Sequence, residues 1–115
     1  MRTIYAALDR RLVVLQGDTE DWTAHERLPA TDLECVAASP KAPELAFVGT
    51  ESEGLQRTTD GGVSWTIVGD FAERGEAVTS LLVSPHDPAT VYAGTEPSRI
   101  YRSIDGGETW TEREG

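Results

Sequence analysis

One cysteine, one lysine and one methionine occur among the 115 residues. The single thiol, Cys35, excludes an internal disulfide, so the fold must rest on packing and backbone pairing. No apolar run approaches the roughly 20 residues that cross a bilayer as a helix. The opening Met1-Arg2-Thr3-Ile4-Tyr5 runs straight into a strand-like pattern without the apolar stretch of an exported leader. A soluble, cytoplasmic protein with no membrane partner is the expectation. Positive charge is scarce as well, with 10 Lys and Arg against 20 Asp and Glu, net −10. A surface of that sign repels phosphate backbones and excludes nucleic acid as a natural partner. The acids are dispersed along the chain, which separates it from a disordered acidic tail.

Motifs of catalysis are also missing: there is no nucleophile elbow, phosphate loop, dinucleotide fingerprint or zinc spacing. His25 and His86 are isolated, without a second ligand at metal-binding distance in sequence. No cofactor, metal or catalytic residue is therefore expected. Cys35 falls in an apolar strand pattern and reads as a small buried hydrophobe.

What the chain does have is a repeat. Thr58-Thr59-Asp60-Gly61-Gly62-Val63-Ser64-Trp65 returns as Ser103-Ile104-Asp105-Gly106-Gly107-Glu108-Thr109-Trp110, 45 positions later. The same offset carries Ser39-Pro40 onto Ser84-Pro85, Gly49-Thr50-Glu51 onto Gly94-Thr95-Glu96 and Arg57 onto Arg102, without a gap. Residues 33–66 and 78–111 agree at 12 of 34 positions. A self-similar period of about 40–50 residues is the spacing of propeller blades.

Each repeat reads as four strands. Val78–Ser84 is an apolar, β-branched run suited to a buried inner strand, and Pro85-His86-Asp87-Pro88 breaks it. Thr90–Gly94 is the second strand, Arg99–Ile104 the alternating third, and Thr109–Glu112 begins the fourth. The preceding copy gives Leu33–Ser39, Leu45–Gly49, Leu55–Thr59 and Ser64–Val68. A worn third copy precedes it, with Thr3–Ala7, Arg11–Leu15 and Asp21-Trp22-Thr23 as its second to fourth strands. There, Gln16-Gly17-Asp18-Thr19 replaces the Asp-Gly-Gly turn. The expected fold is all-β: a propeller segment of nearly three four-stranded antiparallel blades with three, four and four strands. Residues 1–32 form a first blade lacking its inner strand, 33–77 the second and 78–115 the third. Closed propellers hold about 4–8 blades. The chain is therefore expected to be the N-terminal portion of a longer propeller, or else a small self-sufficient protein.

The pattern Ser/Thr-x-Asp-x-Gly-x-Ser/Thr-Trp resembles the BNR or Asp-box repeat of β-propellers. The resemblance covers about residues 33–111. It rests on Thr58, Asp60, Gly62, Ser64 and Trp65, and on Ser103, Asp105, Gly107, Thr109 and Trp110. The chemistry of the turn is readable directly. An Asp ahead of a tight reversal accepts its N–H groups, the second glycine supplies a positive φ, and Trp covers the hairpin and reaches the neighbouring blade. Members of the family include sialidases, xyloglucan-degrading hydrolases, sortilin-type receptors and photosystem II assembly factors. The resemblance implies a structural role for the box, away from any ligand. High Asp and Glu with one Lys and few Ile also resemble the proteins of salt-loving archaea, whose hydrated acidic surfaces stay soluble in concentrated salt.

Three functions fit. The first is a non-catalytic scaffold binding an unknown protein or carbohydrate. The second is a fragment of a glycoside hydrolase or sialidase-like enzyme with its catalytic residues elsewhere. The third is a small lectin that builds a ring by self-association. No sialidase catalytic residue maps onto this chain, and Arg57 and Arg102 read as stem residues of the box. Glu51 and Glu96, with Glu53, Asp70, Glu73 and Glu76, are expected on one loop face. That face is a weak candidate for a ligand surface or carboxylate pair, against the plainer reading of a solvated acidic rim. Either the remaining blades of a longer chain or a second copy is the expected partner.

Overall fold

Strand ends follow the punctuation of the sequence. The computed structural model describes residues 2–8, 11–17, 22–27, 32–39 and 41–113. It contains eleven strands: β1 (Arg2–Leu8), β2 (Arg11–Gly17), β3 (Trp22–Arg27), β4 (Leu33–Ala38), β5 (Ala46–Thr50), β6 (Leu55–Thr58), β7 (Thr66–Val68), β8 (Ala77–Val83), β9 (Val91–Glu96), β10 (Arg99–Ser103) and β11 (Thr111–Arg113). They form three antiparallel sheets of three, four and four strands, ordered β1-β2-β3, β4-β5-β6-β7 and β8-β9-β10-β11. This is the expected series of blades, each a meander in chain order. Several boundaries move: the second strand of the third blade continues past Gly94 to Glu96, the outer strands of the second and third blades begin only after Trp65 and Trp110, and that of the first runs on past Thr23 to Arg27. Asp18, Thr19 and Asp21 of the worn first turn lie outside the described residues.

The repeat extends to irregularities. Pairing of β4 with β5 shifts between Leu33 and Cys35, and pairing of β8 with β9 shifts between Val78 and Ser80, the same repeat positions. Ser39 Oγ accepts the N–H groups of Lys41 and Ala42, and Ser84 Oγ accepts those of His86 and Asp87. Ser39 and Ser84 thus close equivalent turns.

A single blade has no interior, so apolar residues are buried only where blades stack. One cluster, Leu12, Val14 and Val48 with Tyr5 and Trp65 against it, lies between the first and second blades. The other lies between the second and third: Phe47, Leu55, Phe71, Val78, Val91 and Tyr101, with Cys35 and Trp110 against it. The Cys35 thiol donates to the carbonyl of Val78 at 3.6 Å, and burial pushes its pKa up to about 11. That fits the expected small hydrophobe and not a nucleophile.

Burial along the second strands records the stacking. β5, in the middle blade, is buried at all five positions. β9 alternates strictly, with Val91, Ala93 and Thr95 buried and Tyr92 and Glu96 exposed. The inner strand β8, expected to be buried, has Leu82 exposed for the same reason: its second face is uncovered.

Gly107, with φ of 90°, lies directly under the Phe47 ring of the preceding blade, so that a Cβ there would overlap the ring atoms. Gly106 has φ of 75° but open space around it. Alanine at either position carries left-handed strain of about 1–2 kcal/mol. Only Gly107→Ala adds overpacking, of about 1–3 kcal/mol. Thermal melts of the two variants should therefore separate, with Gly107→Ala several degrees below Gly106→Ala; equal midpoints would remove the close-approach argument.

Candidate functional site

The two repeat turns are superposable in their bonding. Thr58 Oγ1 donates to Asp60 Oδ1 at 2.7 Å and accepts the Gly62 N–H at 3.0 Å. Ser103 Oγ donates to Asp105 Oδ1 at 2.7 Å and accepts from Gly107 at 2.8 Å. The Ser64 and Thr109 N–H groups each donate to the Asp at 2.9 Å, and their hydroxyls donate to its other oxygen. Trp65 and Trp110 each return an indole N–H to the carbonyl of the second glycine, at 3.0 Å. Each hairpin is then tied inward, Gly61 N–H to Glu44 O and Gly106 N–H to Ala89 O.

Both Asp carboxylates are exposed, yet every oxygen faces donors. The donated bonds hold Asp60 at about 2, below its ordinary 3.8, with the Ser64 hydroxyl the largest cause. Asp105 is lowered further by the Thr109 hydroxyl and the same set of N–H groups. A carboxylate held this firmly as an anion is a poor general acid or base near neutrality.

The indoles do the stacking. Trp65 meets Tyr5 of the first blade with centroids 6.4 Å apart and planes at 86°; Trp110 meets Phe47 of the second blade at the same distance and angle. An aromatic on one blade thus receives the Trp of the next, edge to face. Tyr5 also donates its hydroxyl to the carbonyl of Pro43 at 2.8 Å, and burial with the Glu44 and Asp60 charges raises its pKa to about 12. Arg57 reaches Glu108 in the third blade's turn at 3.8 Å.

The expected acidic loop face is only partly a face. Glu51 and Glu96 are exposed at the ends of β5 and β9, and no hydrogen bond or ion pair joins them among the described residues. The threonines beside them turn inward: Thr50 donates to Gly54 O and Thr95 to Pro97 O, each at 2.7 Å. The repeated Thr-Glu is accounted for by its Thr. Glu53 and Glu73 are exposed, and Asp70 pairs with Arg74 at 3.1 Å. Glu76 does not belong to the rim. It is buried, accepts the Tyr101 hydroxyl at 2.8 Å on both oxygens, and pairs with Arg99 at 3.2 Å.

That last group escaped the sequence because it breaks the repeat: Tyr101 and Arg99 stand where the second blade has Gln56 and Gly54. Arg74 donates to the Tyr101 hydroxyl at 3.0 Å and lies over its ring, while Arg99 also reaches Glu112 at 3.2 Å. Burial, then the bond to Glu76, raises the Tyr101 pKa. The phenol is sealed against Phe71 (ring centroids 5.1 Å apart), and the group joins the Phe71–Glu76 loop to β10. A concavity of about 580 Å³ lies beside it on the uncovered face of the third blade, lined by Ser80, Gly94, Arg99, Ile100 and Arg113 among others.

No protein-family model and no curated protein matches the chain significantly. Solved structures do. The chain is similar to a GH74 enzyme of Niastella koreensis at 26% identity, covering 91% of this chain and 19% of that one, with a TM-score of 0.59. It is similar to YCF48 bound to D1 peptide at 16% identity, covering 96% and 37%, with a TM-score of 0.71. YCF48 from Cyanidioschyzon merolae aligns at 19% identity over 90% and 34%, with a TM-score of 0.67. These are β-propellers, and the fold of this chain is a β-propeller segment. It spans between about a fifth and two fifths of the length of these neighbours.

Two outcomes follow from the bonding. Asp60 and Asp105 have folded pKa values below the unfolded one, so their contribution is complete above about pH 4 and is lost as pH falls toward 2. The wild type should lose more of its melting temperature between pH 4.5 and 2.5, values chosen about that window, than the double Asp→Asn variant does. Parallel curves would contradict the assignment. Tyr101→Phe removes a buried hydrogen bond to a carboxylate and should cost about 1.5–3 kcal/mol in urea denaturation.

Proposed function

We propose that this chain is a segment of a BNR/Asp-box propeller, with blades at 1–32, 33–77 and 78–115, and that it serves as a non-catalytic interaction scaffold. Thr58, Asp60, Gly62, Ser64, Trp65 and their mates Ser103, Asp105, Gly107, Thr109, Trp110 are structural in this reading. One observation carries it. Among the described residues, the ionisable groups with displaced pKa values are engaged by the fold: the Asp carboxylates by their own turns, Tyr5 and Cys35 by backbone carbonyls, and the Tyr101 phenol by burial, Glu76 and Arg74. None of these is left to transfer a proton to a ligand. YCF48, a propeller of the same fold, is known with a bound peptide, which supports a protein or peptide partner here. Glu51 and Glu96 are the exposed carboxylates that such a partner, or a carbohydrate, would meet.

The likeness to GH74 enzymes favours a second reading, a piece of a glycoside hydrolase whose catalytic residues lie outside this chain. The discriminating assay is release of reducing sugar from xyloglucan, and of sialic acid from a sialoside, by the protein with its remaining blades, because both readings leave the isolated chain inactive. No release above buffer is expected. Turnover lost in Glu51→Gln or Glu96→Gln would overturn the scaffold reading.

The acidic composition supports adaptation to concentrated salt, in a cytoplasm rich in it. With net −10 and one Lys, screening relieves self-repulsion. The melting midpoint should rise clearly from dilute buffer to molar sodium chloride, and a flat response would remove the halophilic reading.

A further inference from the structure

The forward face of the third blade repeats, position for position, the face that the second blade buries against it. Cross-strand register sets Leu82, Tyr92 and Arg102 in one row, and Ser80, Gly94 and Ile100 in the next. The second blade has Ala37, Phe47 and Arg57, then Cys35, Gly49 and Leu55, in the same two rows. Phe47 and Leu55 are 0% exposed under the third blade, whereas Tyr92 is 36%, Ile100 54% and Leu82 57% exposed. The concavity of about 580 Å³ opens on this face. In a stack of repeats an end unit carries a polar outer face. A tyrosine, an isoleucine and a leucine side by side are the opposite of such a cap, and apolar patches of that kind are rarely left bare.

The side chains on the face specify what covers it. Tyr92 stands where Phe47 receives Trp110, but its hydroxyl gives it the chemistry of Tyr5 in the first joint. Tyr5 takes Trp65 edge to face and donates its hydroxyl to the carbonyl of Pro43 in the covering blade. That proline belongs to the repeat and returns as Pro88. Arg102 repeats Arg57, which reaches Glu108 in the turn of the blade that covers it. An indole edge, a backbone carbonyl and an acid are the groups that a repeat hairpin brings to its predecessor. We propose that the Tyr92 face is covered by a further Asp-box blade of the same polypeptide. Its Trp meets Tyr92 edge to face, the second glycine of its turn lies against the ring, and a carbonyl ahead of its second strand accepts the Tyr92 hydroxyl. The inference rests on the reading of this chain as a segment of a longer propeller. The solved neighbours support it: the two YCF48 propellers match 96% and 90% of this chain over only 37% and 34% of their own length.

Hydroxyl-radical footprinting of the protein with its remaining blades, read by peptide mapping, tests the face directly. Ile100 should be oxidised roughly tenfold more slowly than the exposed Ile67 and Ile104, because a stacked repeat keeps water out of the joint. Tyr92 should be protected to the degree of the buried Tyr101. Protection should survive a roughly hundredfold dilution, since linked units meet at a fixed effective concentration. Tyr92→Asp should expose Ile100 together with the Trp that follows the next Asp-Gly-Gly turn, while Tyr92→Phe leaves both protected. Near-UV circular dichroism checks that the variants fold, and Leu82→Asp replaces Tyr92→Asp if that one does not. Ile100 and Tyr92 oxidised as fast as exposed side chains, in a polypeptide longer than 115 residues, would overturn this proposal and leave the segment reading standing. A natural polypeptide of 12.5 kDa would overturn both. Protection lost on dilution would assign the face to a second copy or another protein and would equally overturn it.

Discussion

The edge-to-face contact between a Trp on one blade and an aromatic on the blade before it is the interaction on which the rest depends. A four-stranded sheet of short strands cannot bury its own side chains, so nearly all hydrophobic stabilisation must come from stacking. Trp65 on Tyr5 and Trp110 on Phe47 fix the distance and rotation between sheets, and the clusters around Val48 and Leu55 fill the space those contacts define. The second glycine of each turn is the corollary. Gly62 would bring a Cβ to 2.8 Å from Val14, and Gly107 is covered by Phe47. Nothing larger lets the indole and its partner ring approach.

Polar chemistry in this molecule serves that stacking. Asp60 and Asp105 hold the turn in the one shape that presents glycine and Trp to the preceding blade; Thr58 and Ser103 close the remaining N–H groups. The depressed carboxylate pKa values are thus a measure of how completely the turn solvates its own anion. Strong perturbation of a titratable group often marks a reaction centre. Here the two lowered aspartates sit within hairpin turns that supply their donors.

The Glu76–Tyr101–Arg99 group departs from the repeat in a different way. It buries the Glu76 carboxylate against Tyr101, which stands where the second blade has Gln56, and it anchors the loop that carries Phe71 into the interface with Trp110. A non-repeating network of this kind distinguishes one blade position from another in a fold whose units are otherwise interchangeable.

The fold was legible in the amino-acid sequence because repeats print their geometry twice. A 45-residue offset without gaps revealed two of the three units, and Asp-Gly-Gly with a following Trp located the outer hairpins of those two. Alternation placed the strands of the second and third blades to within one or two residues, whereas the outer strand of the first runs four residues beyond the Thr23 expected. What escaped was everything decided between units. Glu76 read as one more surface acid because its partners, Tyr101 and Arg99, are about 25 positions away and have no counterpart in the other copy. β8 read as a buried strand because its composition matches one; only the stack decides that its second face is bare. Whether Phe47 and Tyr92, equal in sequence, are buried or exposed depends on which blade comes next. Local sequence determined the shape of each blade, and tertiary stacking alone decided which of its faces the protein keeps for itself.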